Sequence, residues 1–465
     1  MCIRDSSVSL AFCIWLCFSS TTFAQSVWEV TPYTVQVLLA IGDEPDLPAS
    51  WRDGLPQRLT RDLKVAFRAT WDPQVTISPD PLHSVMLHDL EAVTQDDIVS
   101  ANAEWAKRDK VFLVAITGSP SAYQIEVREY DATLLRLGPA ERSSVDSLSQ
   151  VSGRTSQSII DSFSPLVRID RYNDGVAKTR LRAGVLMQSG NTAGLLKPGD
   201  VLLPFDRRVS SSGKTKPSDV RAIDWTYLLV GDAVQPSSEN FKVVSGYKQP
   251  FRTKRNRRNQ QLAIRARKTS EQSTIRLQSR AKEPSPLIGY EIHEKGDKTT
   301  NFLGYTNWRG ELTIPEGESP IRTLLVRSGG RVTAKLPIVP GLRDVVVASM
   351  RDDRQRVEAD GFMAGIQTQL IDIVAQRESL SARIRRLISN QEFDEARRLL
   401  DRFRDLPTKD LFEDDLRRQR SQLKVTDAGL RKRIDTMFVQ TSRTLGKFLN
   451  PRRYSELEKE LEAAQ

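Results

Sequence analysis

Hydrophobic periodicity changes twice along this chain of 465 residues, and each change restricts which elements can follow. From 25 to 170, strand and helix patterns alternate. Tyr33–Ile41 (YTVQVLLAI) is apolar and β-branched. Trp51, Leu55, Leu59, Leu63 and Phe67 recur every fourth residue, a helical stripe. Gln74–Ser78 reads as a short strand. Thr94 caps a helix to about Trp105, with Asp96 and Asp97 in its first turn. Lys110–Ile116 and Tyr123–Tyr130 are strands, and Ser147–Phe163 is a helix. The order β-α-β-α-β-β-α predicts one α/β sandwich.

From 176 to 283 the helical period disappears. Short strands bounded by turn residues replace it: Leu181–Met187, Asp200–Pro204, Thr226–Val230, Phe241–Val244, Gln261–Arg267 and Thr274–Leu277, with a tight turn at Lys197-Pro198-Gly199-Asp200. A small barrel or sandwich is expected. Residues 284–347 repeat the pattern as a second all-β unit, with strands at Leu287–Glu294, Phe302–Thr306, Glu311–Ile314, Ile321–Arg327 and Val332–Leu336. From 354 to 465 the chain is helical. Ala359, Met363, Ile366, Leu370, Ile373, Arg377, Leu380, Ile384 and Leu387 step alternately by four and three, a heptad seam with one cation in it. Two further helices, Gln391–Leu406 and one from about Lys409, and a tail helix after Pro451 follow. Their short connections favour an antiparallel hairpin or three-helix bundle closed within the chain. A helix-mediated oligomer or partner dock is the other reading, and the oligomeric state stays open. The expected fold class is multidomain α+β: an N-terminal α/β sandwich, two small all-β domains (barrel or sandwich) and a C-terminal helical bundle.

The N-terminal residues read as an address. Val8–Phe18 (VSLAFCIWLCF) carries no charge and is too short to span a bilayer, which suits the apolar core of a signal peptide. Thr22 and Ala24 are small residues at the positions a signal peptidase inspects, so cleavage is expected after Ala24. Leu16 before Cys17 and Phe12 before Cys13 do not fit a lipoprotein. Export to the periplasm or the extracellular space follows. Met1–Ser6 (MCIRDS) has the look of translated adapter sequence, which puts the natural start in question. The three cysteines, Cys2, Cys13 and Cys17, all fall in this leader. Zinc ribbons, cysteine nucleophiles and disulfides are thereby excluded from the rest.

A search for chemistry finds little. Gly213-Lys214-Thr215 resembles half of a phosphate loop, but Arg208 occupies the first-glycine position. No nucleophile elbow or zinc-protease motif occurs. His83 and His88 are five apart and fall on different helix faces, and His293 is isolated in a strand. No metal site and no cofactor are expected. Asp352 and Asp353 sit between Arg351 and Arg354 and read as a helix cap.

The basic segment 248–268, KQPFRTKRNRRNQQLAIRARK, holds nine cations and no anion in a chain of net charge +10. It reads as a basic loop feeding a basic β-hairpin, in which the Gln261–Arg267 strand turns at Thr269–Ser273 into Thr274–Leu277 with Arg276 and Arg280 pointing outward, and which would focus positive potential over one face of the 176–283 domain. Lys254, Arg255, Arg257, Arg258, Arg265 and Arg267 are the candidate anion-binding residues, with Arg265 and Arg267 expected on the outward face. With only Tyr247 and Phe251 nearby, base stacking and specific nucleic-acid binding are not indicated.

Thr306-Asn307-Trp308-Arg309-Gly310, followed by Leu312 and Ile314, resembles the turn of carboxypeptidase-regulatory-like β-sandwiches, modules that are mostly accessory parts of exported proteins. Asn390–Ala396 resembles part of a tetratricopeptide-like hairpin, without a repeat to make an array. The run Pro286–Glu291, the Pro337–Gly341 turn and the helical tail together resemble an uncharacterised family of secreted, signal-bearing proteins of planctomycete bacteria. That resemblance implies an extracytoplasmic setting and no activity. The functional expectation is an exported, non-enzymatic envelope or cell-surface scaffold. Its partners would be envelope or extracellular proteins, and its anionic ligands acidic polysaccharide or lipid headgroups. The alternative is an extracytoplasmic enzyme with its site in the α/β domain.

Overall fold

The computed structural model describes residues 27–43, 47–119, 122–187, 196–210, 215–231, 239–251, 258–296, 298–423, 425 and 428–465. The leader 1–24, Gly213 and Lys214, and Lys254, Arg255 and Arg257 lie outside the described residues. The molecule is multidomain and mixed α+β.

The first unit runs α1 (Val27–Val30), β1 (Tyr33–Ile41), α2 (Ala49–Phe67), β2 (Trp71–Ile77), α3 (Leu82–His88), α4 (Gln95–Ala101), β3 (Lys110–Ser119), β4 (Ala122–Asp131), β5 (Arg136–Val145) and α5 (Leu148–Ser162). Its sheet has the order β2-β1-β3-β4-β5. β1 is parallel to both neighbours, whereas β3, β4 and β5 pair antiparallel. Successive residues of β1 serve opposite faces. Val35, Val37, Leu39 and Ile41 join the core beneath α2 and α5, while Leu38 and Ala40 join the core beneath α3 and α4. Burial on both faces is why this strand is a continuous apolar run rather than an alternating one. Thr94 caps α4 in a reciprocal box with Asp97. The sequence reading lacked α3 and β5. β5 (RLGPAERSSV) is an edge strand with no buried residue, so it shows no apolar face to read.

The barrel comprises β6 (Leu166–Asn173), β7 (Val176–Leu181), β8 (Val201–Arg208), β9 (Val220–Ala222), β10 (Thr226–Leu229), β11 (Glu239–Ser245) and β12 (Asn259–Arg265). Their sheet order is β10-β11-β7-β6-β12-β8-β9, and β10 also pairs with β8 at Leu228–Leu202. That pairing closes six antiparallel strands into a ring, with β9 outside it. Closure leaves the ring without a free edge. The core of the first unit continues into the barrel: Phe163, Leu166, Phe205, Phe241 and Leu262 belong to the same buried cluster as Tyr33 and Leu59.

The second all-β unit is a sandwich. It comprises β13 (Gln272–Ser279), β14 (Glu291–Lys295), β15 (Thr300–Tyr305), β16 (Glu311–Pro315), β17 (Arg322–Ser328), β18 (Arg331–Ile338) and β19 (Val345–Met350). Sheets β16-β13-β19 and β15-β14-β17-β18 face each other across Ile275, Leu277, Ile292, Leu324 and Val326. β13 therefore lies in the sandwich and not in the preceding unit, and β19 extends the sandwich past 347 to Met350. The Thr306–Gly310 turn is built as its residues require. Asn307 Oδ1 accepts from the Arg309 and Glu311 amides, and Thr306 Oγ1 donates to the Leu287 carbonyl at 2.7 Å. Gly310 has φ +73°, and a Cβ there would stand 2.3 Å from the Leu277 carbonyl oxygen, so only glycine fits.

The tail contains α6 (Arg354–Ser389), α7 (Phe393–Arg404), α8 (Lys409–Gln422), α9 (Ala428–Phe448) and α10 (Arg452–Ala464). α6 is shared by two cores. Its first half packs with α8 and α9 around Met363, Ile366, Leu416 and Phe438; its second half packs with α7 and α10 around Ile384, Leu400, Phe403 and Leu457. The seam expected for one bundle thus serves two. Asp353 occupies the N-cap position of α6, but its carboxylate grips Arg356 rather than a backbone amide. Among the described residues no helix is long and apolar enough to cross a membrane.

Candidate functional site: a basic cavity between sandwich, barrel and tail

The proposed basic hairpin does not form. Its two strands belong to different sheets: β12 lies inside the barrel between β6 and β8, and β13 lies in the sandwich. Arg265 and Arg267 are also turned the other way, onto the first unit. Arg265 Nη2 donates to the carbonyls of Asp161 (3.2 Å) and Phe163 (2.6 Å), a cation at the C-terminus of α5. Arg267 donates to the Pro139 carbonyl of β5. Both arginines therefore fasten barrel to α/β unit. Arg258 is exposed beside β12, where its carbonyl accepts from the Val209 amide.

Cations separated in sequence converge elsewhere. A cavity of about 520 Å³ opens where the sandwich meets the barrel and the tail. Period-two alternation puts Arg331, Thr333 and Lys335 on one face of β18, while Leu336 and Ile338 turn to the core. Arg280 follows β13, Arg351 links β19 to the tail, Arg356 opens α6, and Arg433 reaches in from α9. The barrel contributes Trp225, Gly246 and the half-exposed Tyr247. Gly246 permits this approach, because a Cβ there would lie 2.5 Å from the Lys335 carbonyl oxygen.

Six cationic side chains and one carboxylate, Asp353, line this cavity. Asp353 is already engaged by Arg356, which also pairs with Asp360 and donates to the Ser328 carbonyl at 2.8 Å. Arg280 donates to the Ser349 carbonyl at 3.2 Å. No hydrogen bond or ion pair to another described residue is made by the side chains of Arg331, Lys335 or Arg433. Burial, aided by the Lys295 charge, holds the Lys335 ammonium below its ordinary pKa. The arrangement is a concave, partly desolvated positive surface suited to phosphate, sulfate or carboxylate groups. Only Lys248 of the basic run adjoins it in sequence, next to Tyr247. Of the six lining cations, Arg280 falls on the outward side of the expected hairpin; Arg331, Lys335, Arg351, Arg356 and Arg433 come from β18, the link after β19, α6 and α9, and no local signal groups them.

A second charged cluster is structural. Lys110 Nζ lies 2.6 Å from both Glu129 and Asp131 and donates to the Ser164 carbonyl at 2.7 Å, and all three side chains are under 5% exposed. Among the histidines, His83 contacts the carbonyls of Ser78 and Ile41, and His293 Nε2 lies 3.1 Å from Glu291. Among the described residues no three His, Cys, Asp or Glu side chains gather to hold a metal ion.

No protein-family model matches the chain, and no curated protein does. Among solved structures, likeness is slight to the PelC dodecamer of Paraburkholderia phytofirmans (15% identity, 28% of this chain and 87% of that one, TM-score 0.18). It is equally slight to TolB of Acinetobacter baumannii (11%, 70% and 97%, 0.19) and to the LpoB C-terminal domain of Salmonella enterica (9%, 27% and 90%, 0.15). TM-scores this low carry no argument.

Proposed function

We propose that this chain is an exported, non-enzymatic interaction protein of the cell envelope or surface that holds an anionic polymer, such as acidic polysaccharide, against the basic cavity. The observation that carries the reading is the imbalance of charge there: six cations, and a single carboxylate that is already paired. Tyr247 and Trp225 at the rim offer apolar faces against which a sugar ring can pack. The short apolar leader supports export. Enzymatic use of Lys110, Glu129 and Asp131 is disfavoured, since the three are buried and committed to pairing with one another.

Retention on a heparin column tests this. Wild-type protein should bind at low salt and elute steeply as salt rises, because each neutralised anion releases counterions. Replacing Arg331, Lys335 and Arg433 together by Ala should make the dependence of log affinity on log salt shallower by roughly three. Flow-through of wild-type protein at low salt, or an unchanged profile for the triple variant, would rule the reading out.

A further inference from the structure

A different crevice, where the first unit, the barrel and the sandwich meet, holds two guanidiniums that form no ion pair with a described residue. Arg136 heads the edge strand β5. Cavities of about 250 Å³ and 210 Å³ open on its two sides, and Arg136, Leu203 and Leu342 line both. The Arg136 guanidinium stands 5.4 Å from the Phe205 ring centre. No hydrogen bond or ion pair reaches it from the described residues. Its cross-strand neighbour Asp131 is engaged by Lys110. Arg267 enters the smaller cavity from the barrel side. Its Nη2 meets the Pro139 carbonyl, while Nη1 is buried with no partner. Glu129 and Asp131 also line this cavity, but both are held by Lys110, and Glu129 accepts from the Ser164 amide as well; the nearby Glu141 accepts from the Ser162 hydroxyl at 3.2 Å. Burial depresses the pKa of both arginines, with Arg343 adding to the effect at Arg136, while Glu129 and Glu141 partly offset it at Arg267.

A buried guanidinium is costly unless an anion completes its hydrogen bonding. Two such partly buried groups bordering one partly enclosed space, beside carboxylates that Lys110 and Ser162 engage, define a receptor for an anion supplied from outside. We propose that a small oxyanion, a carboxylate or phosphate group, binds in the 210 Å³ cavity between Arg136 and Arg267, each offering its planar fork. The space admits a small molecule or a terminal group and not a polymer chain. The site is separate from the polymer cavity, whose lining includes neither arginine.

Titration calorimetry on the full chain at constant ionic strength tests this with inorganic phosphate and with succinate as probes, and chloride as the control. One equivalent of phosphate or of succinate should bind and raise the melting temperature above the chloride control. Whichever probe binds more tightly assigns the anion as tetrahedral or planar. Arg136→Met and Arg267→Met should each weaken binding at least tenfold, while the Arg331, Lys335 and Arg433 triple variant should bind as wild type does. If Arg136→Met does not fold, Arg136→Lys keeps the charge without the fork and should still bind severalfold more weakly. Failure of both probes to exceed chloride, or wild-type affinity in the Arg136 variants, would overturn the proposal.

Discussion

Lys110 stands at the head of the apolar run KVFLVAI, where sequence shows a charged residue opening a strand and nothing of its partners. In the fold it is buried against Glu129 and Asp131, which lie together at the C-terminal end of the neighbouring strand β4. Burial alone would lower its pKa, but the two carboxylates outweigh burial and hold the ammonium above the ordinary lysine range. The sign of the pH effect follows. As pH rises past about 10.4, the unfolded chain releases this proton while the folded chain keeps it. The stabilisation is therefore complete below that pH and declines above it. Tyr33, whose phenol burial pushes upward, adds a loss of the same sign. Lys110→Met should cost about 3–5 kcal/mol at neutral pH in denaturant unfolding, because two buried carboxylates lose their partner. The variant should also show a shallower fall in stability between pH 10 and 11, and an unchanged alkaline slope would contradict this account. The candidate site was illegible for a related reason. A run of cations is visible in sequence, but Arg331, Lys335 and Arg433 become one surface only when a strand and a distant helix meet.

Periodic elements were the most legible. The four-three stripe appears as α6, a single helix of 36 residues, about 54 Å long. Sequence did not show that it would be covered twice. The expected third helix from Lys409 is two helices, α8 and α9, and the tail after Pro451 is the lid of the second core, where Leu457 and Leu461 are buried. The chain segment 354–465 should accordingly fold alone as a monomer by sedimentation, whereas a segment stopped at 450 should melt earlier, with Ile384 and Leu400 uncovered. A stable dimer of the longer segment would show that the seam serves assembly. Leu370→Asp, placing a carboxylate in the first core, should unfold the segment outright in circular dichroism. Arg377, the cation in the seam, is accommodated over the Phe403 ring (5.4 Å) with one donor on the Pro407 carbonyl (3.2 Å). β5 stayed hidden because periodicity registers fully buried faces, and this edge strand is only half-buried, with few apolar residues (Leu137, Ala140, Val145) spread over both faces.

At the scale of the whole molecule, the change in periodicity near 170 coincides with a change of architecture but not with a break in the core. Tyr33 Oη accepts from the Leu166 amide, and the apolar cluster continues from α2 and α5 into the barrel. Residues 27–265 should therefore unfold in one transition, and a fragment ending at 163 should be protease-sensitive throughout, its Phe163 and Leu59 face uncovered. Separate calorimetric transitions for α/β unit and barrel would refute that continuity. The ring also imposes an order in time. β6 meets β7 at once across the Asp174-Gly175 turn, but its other neighbour, β12, follows only after β7 to β11 have been made. Loop-closure entropy is largest for that seam. A chain emerging N-terminus first thus carries a half-covered core until Arg265 arrives. Joining β12 to β6 is expected to be its slowest folding step, and the interval before it is when this protein most needs protection from aggregation.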